Sequence, residues 1–202
     1  MRILNIAAGK FQPLPMSTTK EDLMMPKFVL NVDTSYFTDT NAGALEGCLQ
    51  GWGTDPDRIT QYRNLNMDVF EFMERTSIVF DRIVIYRFLE HVSFTQVEYF
   101  IYLVSTVLNV GGQVDVIVPN YTILAEMILN ENNDPAYNWP AHNILLTTEL
   151  LNEPSCPHAS IWTLERMKYF WQLEGRFKVG IQHPSFNFDG RDIYLRSFIE
   201  RI

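Results

Sequence analysis

The sequence predicts an α/β fold built on a mostly parallel sheet, and the stretch Phe80 to Asn120 carries most of this prediction. It opens with the apolar run Ile83 to Ile85, which is β-branched and does not alternate, as in a strand buried on both faces. Apolar residues at helical spacing follow from Val97 to Leu108, and a second β-branched run ends at Pro119. A strand, a helix and a strand in this order predict a right-handed parallel crossover. Ligands of such sheets bind at the carboxyl ends of the strands.

Side chains also predict where this helix begins and ends. Two overlapping capping boxes between Ser93 and Glu98 predict its start, since each places a hydroxyl three residues before a Gln or Glu. Gly111 and Gly112 predict its end, where the chain needs a left-handed residue. The second strand is then expected from Val114.

Further elements are predicted on both sides of this crossover. Asp68 is a good N-cap for a short helix with the sequence VFEFMER. Asp189-Gly190 is a strong hairpin signal between two alternating segments, which predicts an antiparallel last pair of strands. The remaining segments are strands at Arg2 to Ala7, Phe28 to Val32, Phe177 to Ile181 and Ile193 to Phe198, and helices at Tyr121 to Leu129 and Thr163 to Glu174.

Composition restricts the classes of function. The chain has 202 residues, 47% of them hydrophobic, which suffices for a substantial core. A formal net charge of −8 argues against an extended nucleic-acid surface, because such surfaces cluster Lys and Arg. Cys48 and Cys156 form no C-x-x-C motif, and no signal peptide or membrane-length apolar run is evident, so a soluble, intracellular, cytoplasmic protein is expected. We expect a single domain over residues 1–202, with irregular insertions at 38–60 and 130–160.

The central stretch contains short words in a fixed order: FD at the start of a strand, LEHV after it, VL at the end of a helix, GG, and VPN at the end of the next strand. They resemble the fourth strand, fourth helix and fifth strand of class I S-adenosylmethionine (SAM)-dependent methyltransferases. The short, proline-containing segment after Gly9 is similar to that of a subgroup of small predicted methyltransferases, which are methyltransferase type 11-like. The resemblance implies a Rossmann-like, doubly wound, mostly parallel seven-stranded sheet with an antiparallel last strand and a shortened first crossover.

The resemblance also implies which residues bind SAM and its product S-adenosylhomocysteine (SAH). A glycine-rich turn lies under the methionine part in this family, and only one of its glycines is present here. Acidic residues bind the ribose and the adenine amino group, and the segment after the fourth strand completes the site. The corresponding residues are Ala7, Ala8, Gly9, Lys10, Asp33, Thr34, Asp68, Val69, Tyr86, Arg87 and His91.

Two of these residues have an alternative interpretation. The spacing from Gly9 to Asp33 by itself is close to that of an acid that binds a ribose, which is the role we favour, and the alternative is that Asp33, Thr34 and Ser35 open a turn. Asp68 can contact adenine or cap the following helix, and the two roles compete for one side chain.

Glu90 and His91 are the candidate catalytic residues. A histidine after the fourth strand can act as a general base near neutral pH, or it can orient the loop or the cofactor. Arg87 can meet an anionic group of the substrate or the SAM carboxylate. The substrate side is expected at Tyr121, Tyr137 and Trp139.

No metal site is expected from the sequence. Cys156, His158 and His142 do not have the spacing of a closed tetrahedral zinc site. The nucleophile elbow and the P-loop are absent, as is the N/D-P-P-Y/F/W tetrapeptide associated with amino methylation of DNA bases.

These patterns lead to two hypotheses about function. The first is a SAM-dependent methyltransferase that acts on an unidentified small-molecule acceptor or polymer end group. The alternative is a catalytically inactive methyltransferase-like domain with a binding or assembly role and a protein partner, motivated by the degenerate A-A-G turn.

Overall fold

The structure is a computed structural model that describes residues 1–6, 27–33, 60–129, 158–182, 187–188, 191–192 and 194–202. Its strands are β1 (Arg2–Ile6), β2 (Lys27–Asp33), β3 (Thr60–Asn66), β4 (Phe80–Tyr86), β5 (Leu108–Pro119), β6 (Phe177–Gln182), β7 (Asn187–Phe188), β8 (Arg191–Asp192) and β9 (Tyr194–Arg201). Its α-helices are α1 (Val69–Arg75), α2 (Phe94–Val107), α3 (Tyr121–Leu129) and α4 (Leu164–Gln172).

Seven of the strands form one sheet in the spatial order β3-β2-β1-β4-β5-β9-β6. The pairs from β3 through β5 are parallel, and β9 is antiparallel to both β5 and β6. The predicted α/β fold with a mostly parallel sheet and an antiparallel last strand is therefore confirmed. The predicted shortened first crossover and most of the predicted insertions lie outside the described residues.

The sheet is buried on both faces, as the unbroken apolar runs predict. In β1, Leu4 and Ile6 belong to one apolar cluster and Ile3 to another, and all three side chains are buried. Alternate residues of a strand point to opposite faces, so both faces are covered.

The helix boundaries differ from the prediction in two respects. Helix α2 ends at Val107, and Leu108 already has an extended backbone and begins β5. Gly111, with φ of 76°, therefore lies inside β5, where the pairing with β4 changes register. The prediction that Gly111 and Gly112 end the helix was wrong, because these glycines permit an irregularity in the strand instead.

The start of α2 also differs in its chemistry. Ser93 is the N-cap residue, but its side chain makes no capping bond to the backbone. Its hydroxyl instead donates to the Gln96 side chain at 2.9 Å. The predicted position of the cap is confirmed, whereas the bond from the backbone to the Ser93 side chain that defines a capping box is not formed.

A buried ion pair joins the parallel part of the sheet to the antiparallel strand. Asp115 of β5 accepts two hydrogen bonds from the guanidinium of Arg196 of β9, one of them 2.9 Å long at Nε. Both side chains are buried, so the pair is shielded from solvent.

No α-helix in the described ranges is both long enough and apolar enough to span a bilayer.

Candidate functional site

The candidate site lies at the carboxyl ends of β1, β2 and β4. In the chain β1 leads to β2 on one side, whereas β4 pairs with β1 on the other side, so the winding direction reverses between β1 and β4. Ligands of open α/β sheets bind in the crevice at such a point. Asp33 is the last residue of β2 and is buried, with 7% of its surface exposed. The structure thus places a carboxyl group at the crevice where the sequence predicts one.

Arg87 follows β4 directly and has a strained backbone. Its φ is 52°, in the left-handed region that residues other than glycine rarely adopt. Its amide donates to the Ile117 carbonyl at 2.8 Å, which holds this turn against β5. The guanidinium carbon lies 5.8 Å from the centre of the Tyr194 ring, and Nε is buried with no hydrogen-bond partner among the residues described. Unusual backbone at a strand end is typical of functional sites.

Glu90 is the most deeply buried ionisable side chain described at this site. It lies in a single 3₁₀ turn, Leu89–His91, and its side chain is 0% exposed. Neither carboxylate oxygen has a hydrogen-bond partner within the described parts of the chain. Burial raises the pKa of Glu90 from 4.5 to about 8, and the backbone amide of Glu90 and the charge of Arg87 offset only part of this effect.

Residues 158–163, which we call the return segment, dock against this 3₁₀ turn. The amides of Ala159 and Ser160 donate to the carbonyl of Glu90 at 2.7 and 3.0 Å. The Ser160 hydroxyl donates to the Leu89 carbonyl at 2.8 Å and accepts from the Trp162 indole at 2.9 Å. The three bonds to Leu89 and Glu90 fix the position of the return segment at the end of β4.

The return segment brings His158 to Glu90 and His91. One ligand-type atom from each of the three residues lies within 4.8 Å of the others. The two imidazole rings meet edge to face, with centroids 5.1 Å apart. Both histidines are half-buried, while Glu90 is fully buried beneath them. We refer to these three residues as the Glu-His-His cluster.

Tyr121, the first residue of α3, holds His158 in place. Its hydroxyl and the Nδ1 atom of His158 are 2.5 Å apart. Burial, together with the charges of His91 and Arg87, lowers the pKa of His158 from 6.5 to about 4, so this imidazole is neutral at pH 7. Burial and the charge of Glu90 raise the pKa of Tyr121 to about 12, so its hydroxyl stays protonated. Tyr121 was expected on the substrate side, and that role stays a prediction.

The other predicted acidic residue acts as a helix cap. Asp68 Oδ1 accepts from the amides of Phe70 and Glu71 at 2.9 and 3.0 Å, which is an N-cap of α1. Of the two roles that the sequence left open, the structure shows the cap, and the adenine contact stays a prediction. Val69 is buried in the first turn of α1, and Tyr86 is half-buried at the end of β4.

The remaining predicted site residues, Ala7, Ala8, Gly9, Lys10, Thr34, Tyr137 and Trp139, lie outside the described residues.

Sequence reasoning missed a row of three side-chain amides across the sheet, two of them buried. Asn5, Asn31 and Asn64 lie in register on three adjacent strands and are joined by two side-chain hydrogen bonds of 2.8 Å each. The Oδ1 atom of Asn5 is buried and has no hydrogen-bond partner in the ranges that the structure describes. Asparagine within the apolar patterns of β1 and β2 was the available signal, because buried amides need partners.

Apart from the crevice at the strand ends, a cavity of about 400 Å³ lies between α1 and α2. Its lining includes Glu74, Tyr99 and Tyr102, and contains none of the predicted site residues. The chemistry at the strand ends is therefore separate from this cavity.

No protein-family model and no curated protein sequence matches the chain. Solved structures do match it. A candidate O-methyltransferase from Nostoc punctiforme PCC 73102 superposes with a TM-score of 0.57 at 16% identity, covering 100% of this chain and 52% of that one. A SAM-dependent methyltransferase from Methanosarcina mazei gives 0.51 at 16% identity, covering 99% and 91%. The plantazolicin methyltransferase BamL, solved with a substrate analogue and SAH, gives 0.55 at 10% identity, covering 99% and 76%.

These similarities show the fold of the chain, which is that of class I SAM-dependent methyltransferases. The chain spans about half the length of the Nostoc protein and most of the Methanosarcina protein.

Proposed function

We propose that this protein is a SAM-dependent methyltransferase. The observation that carries the proposal is the crevice where the sheet reverses direction, with buried Asp33 at the end of β2 and the strained Arg87 at the end of β4. The methyltransferase fold supports the same conclusion. Most of the predicted glycine-rich turn lies outside the described residues, so the proposal rests on the other two strand ends.

The described residues fit a SAM molecule in this crevice. The Asp33 carboxylate has the chemistry to accept hydrogen bonds from both ribose hydroxyls, because an ionised carboxylate is an acceptor only. Arg87 provides a guanidinium for the carboxylate of the methionine part, which prefers two parallel hydrogen bonds. When bound, SAM supplies an activated methyl group. The protein supplies orientation and exclusion of water.

The Glu-His-His cluster supplies the proton chemistry. A hydroxyl or amine acceptor must lose a proton when it is methylated. His158 is neutral at pH 7 and half-buried beside the crevice, and His91 is in edge-to-face contact with it. With no metal ion bound, the lone pair of a neutral imidazole at this position can accept that proton. The carboxyl group of Glu90 lies close to both imidazoles, with one ligand-type atom of each residue within 4.8 Å of the others.

Titration of the purified chain with SAM and SAH by calorimetry tests the proposal. We expect one cofactor per chain, and we expect Asp33→Ala to weaken binding by about 1.5–3 kcal/mol, or roughly 10- to 150-fold, through loss of a charge-assisted contact. Glu98→Gln, which removes an exposed carboxyl group of α2, is the matched control and is expected to bind SAM like the wild type.

Two results would count against the proposal in different ways. Unchanged affinity in a folded Asp33→Ala variant would assign Asp33 to a turn and not to the ribose. If the wild type bound neither SAM nor SAH at millimolar concentration, the proposed methyltransferase activity would be overturned. That result would favour an inactive domain with a binding role.

A further inference from the structure

We propose that Glu90, His91 and His158 bind one divalent transition-metal ion of the zinc class beside the crevice. Their candidate ligand atoms lie within 4.8 Å of one another, so small side-chain rotations would bring them to a common ion. Two imidazoles and one carboxylate are the ligand set of His₂Glu zinc sites. Nothing in the linear spacing predicts this site, because the return segment alone brings His158 to the other two residues.

The burial of Glu90 favours a bound cation as the partner of its carboxyl group. A carboxyl group is costly to bury unless it is paired or hydrogen-bonded. Glu90 is 0% exposed, and both of its carboxylate oxygens are without a hydrogen-bond partner in the described portion of the chain. Each such group in a folded protein requires an explanation, and a bound ion is one of the few available. A divalent ion between Glu90 and the two imidazoles would provide the partner.

Tyr121 supplies the outer contact that metal-binding histidines need. The second nitrogen of such a histidine almost always donates to an oxygen, which fixes the tautomer and the ring orientation. The hydroxyl of Tyr121 lies 2.5 Å from Nδ1 of His158. With the Nδ1 proton donated to this hydroxyl, Nε2 of His158 keeps its lone pair for the metal.

The arrangement also leaves room for a ligand from outside the chain. Three protein ligands complete only part of the coordination shell of zinc, and His91 and His158 are half-buried and not sealed. Arg87 directly follows β4, and its buried Nε has no hydrogen-bond partner among the described residues, so an oxygen donor with negative charge is favoured in the open position. The metal site does not depend on methyl transfer. Only the assignment of the open position to a hydroxyl or carboxylate oxygen of the methyl acceptor rests on the proposed function.

The test uses the full chain, stripped with a chelator and titrated with Zn²⁺ against a chromogenic chelator in the absence of SAM. We expect one ion per chain. Glu90→Gln, His91→Ala and His158→Ala are each expected to weaken binding by more than about 100-fold, because loss of an outer-shell partner alone costs about 10- to 100-fold. Tyr121→Phe is expected to fall within that smaller range.

Matched controls separate ligand loss from general damage. Glu98→Gln and His183→Ala each remove a side chain of the same type from elsewhere in the sequence and are expected to bind Zn²⁺ like the wild type. Thermal unfolding monitors folding, and Glu90→Gln is the decisive variant because it keeps the size of the side chain. Either of two results would overturn the proposal. One is an unchanged zinc affinity in a folded Glu90→Gln, His91→Ala or His158→Ala variant, and the other is loss of zinc binding in His183→Ala.

Two further measurements keep the proposals distinguishable. The visible spectrum of the Co²⁺-loaded protein is expected to shift when acetohydroxamate, an oxygen-donor probe, is added, and an unchanged spectrum would overturn the open position. SAH binding is measured separately on metal-free protein. A wild type that binds zinc but not SAH would overturn the proposed methyltransferase function and support the metal site. A wild type that binds SAH but not zinc would support the methyltransferase function and overturn the metal site.

Discussion

Glu90 is a carboxyl group in surroundings that disfavour its charge. Its pKa is raised from 4.5 to about 8 by burial, while the unfolded chain keeps the lower value. Between these two pH values the folded protein binds more protons than the unfolded protein. The contribution of Glu90 to stability is therefore fully present below pH 4.5 and is lost as the pH rises to about 8.

Glu90→Gln is expected to remove this pH dependence in the presence of a chelator. The free energy of unfolding of the wild type, relative to the variant, is expected to fall by up to about 1.4 kcal/mol per pH unit over this interval. Urea unfolding at several pH values measures it. A constant difference between the two proteins from pH 5 to 8 would contradict the burial of a protonated Glu90. The titratable groups around Glu90 are the same in both proteins: Arg87, His91, Tyr121, His158 and Tyr194.

Among the elements, β5 and β9 pair at seven positions and are also joined by a buried contact between charges. Asp115 and Arg196 are 4% and 9% exposed. A buried pair gains little over apolar residues of the same size, but removal of one partner leaves an uncompensated charge. The contact therefore specifies how β9 pairs with β5 more than it stabilises the sheet.

Asp115→Ala is expected to lower the free energy of unfolding by about 3–5 kcal/mol, because Arg196 would remain buried and unpaired. The double variant Asp115→Leu with Arg196→Met is expected to recover most of this loss. Denaturant titration measures both. Glu71→Ala is the control, since it breaks an exposed pair with Arg75 that is worth less than about 1 kcal/mol. A similar cost for Asp115→Ala and Glu71→Ala would show that the buried pair is not coupled to folding.

In the molecule as a whole, Trp162 connects the candidate site to the apolar core. Its ring packs on Phe94 of α2 and Phe170 of α4, and its indole donates to Ser160 in the return segment. Its carbonyl accepts from the amide of Tyr121 at 3.2 Å. The cluster of Glu90, His91 and His158 is thus held by contacts with three separate parts of the chain.

Trp162→Phe and Trp171→Phe form a matched pair, since both tryptophans are fully buried in the same core. Both variants are expected to lose about 1–3 kcal/mol of stability. Only Trp162→Phe is expected to accelerate hydrogen exchange at the amides of Ala159 and Ser160, because it releases the return segment locally. Equal acceleration in both variants, after correction for global stability, would contradict a specific role of Trp162 in holding the site.

The sequence by itself determined the order of the elements and much of the crevice. Periodicity, β-branched runs and caps are local properties, so β4, the body of α2 and the N-cap at Asp68 were predictable within a few residues. Asp33 was predictable because it ends a strand, and strand ends meet at one edge of a parallel sheet. The end of α2 was not, because the glycine signal is shared by helix caps and strand bulges.

Only the tertiary structure decided what surrounds Glu90. The bond from Ser160 to Leu89 joins residues 71 positions apart, and no local pattern encodes such a contact. The same docking decides that Glu90 is buried, that His158 lies beside His91, and that Tyr121 meets His158. Burial and proximity set the pKa of a group and its ability to bind a metal, and both arise from packing between distant segments. The chemical character of this site is for that reason a property of the fold.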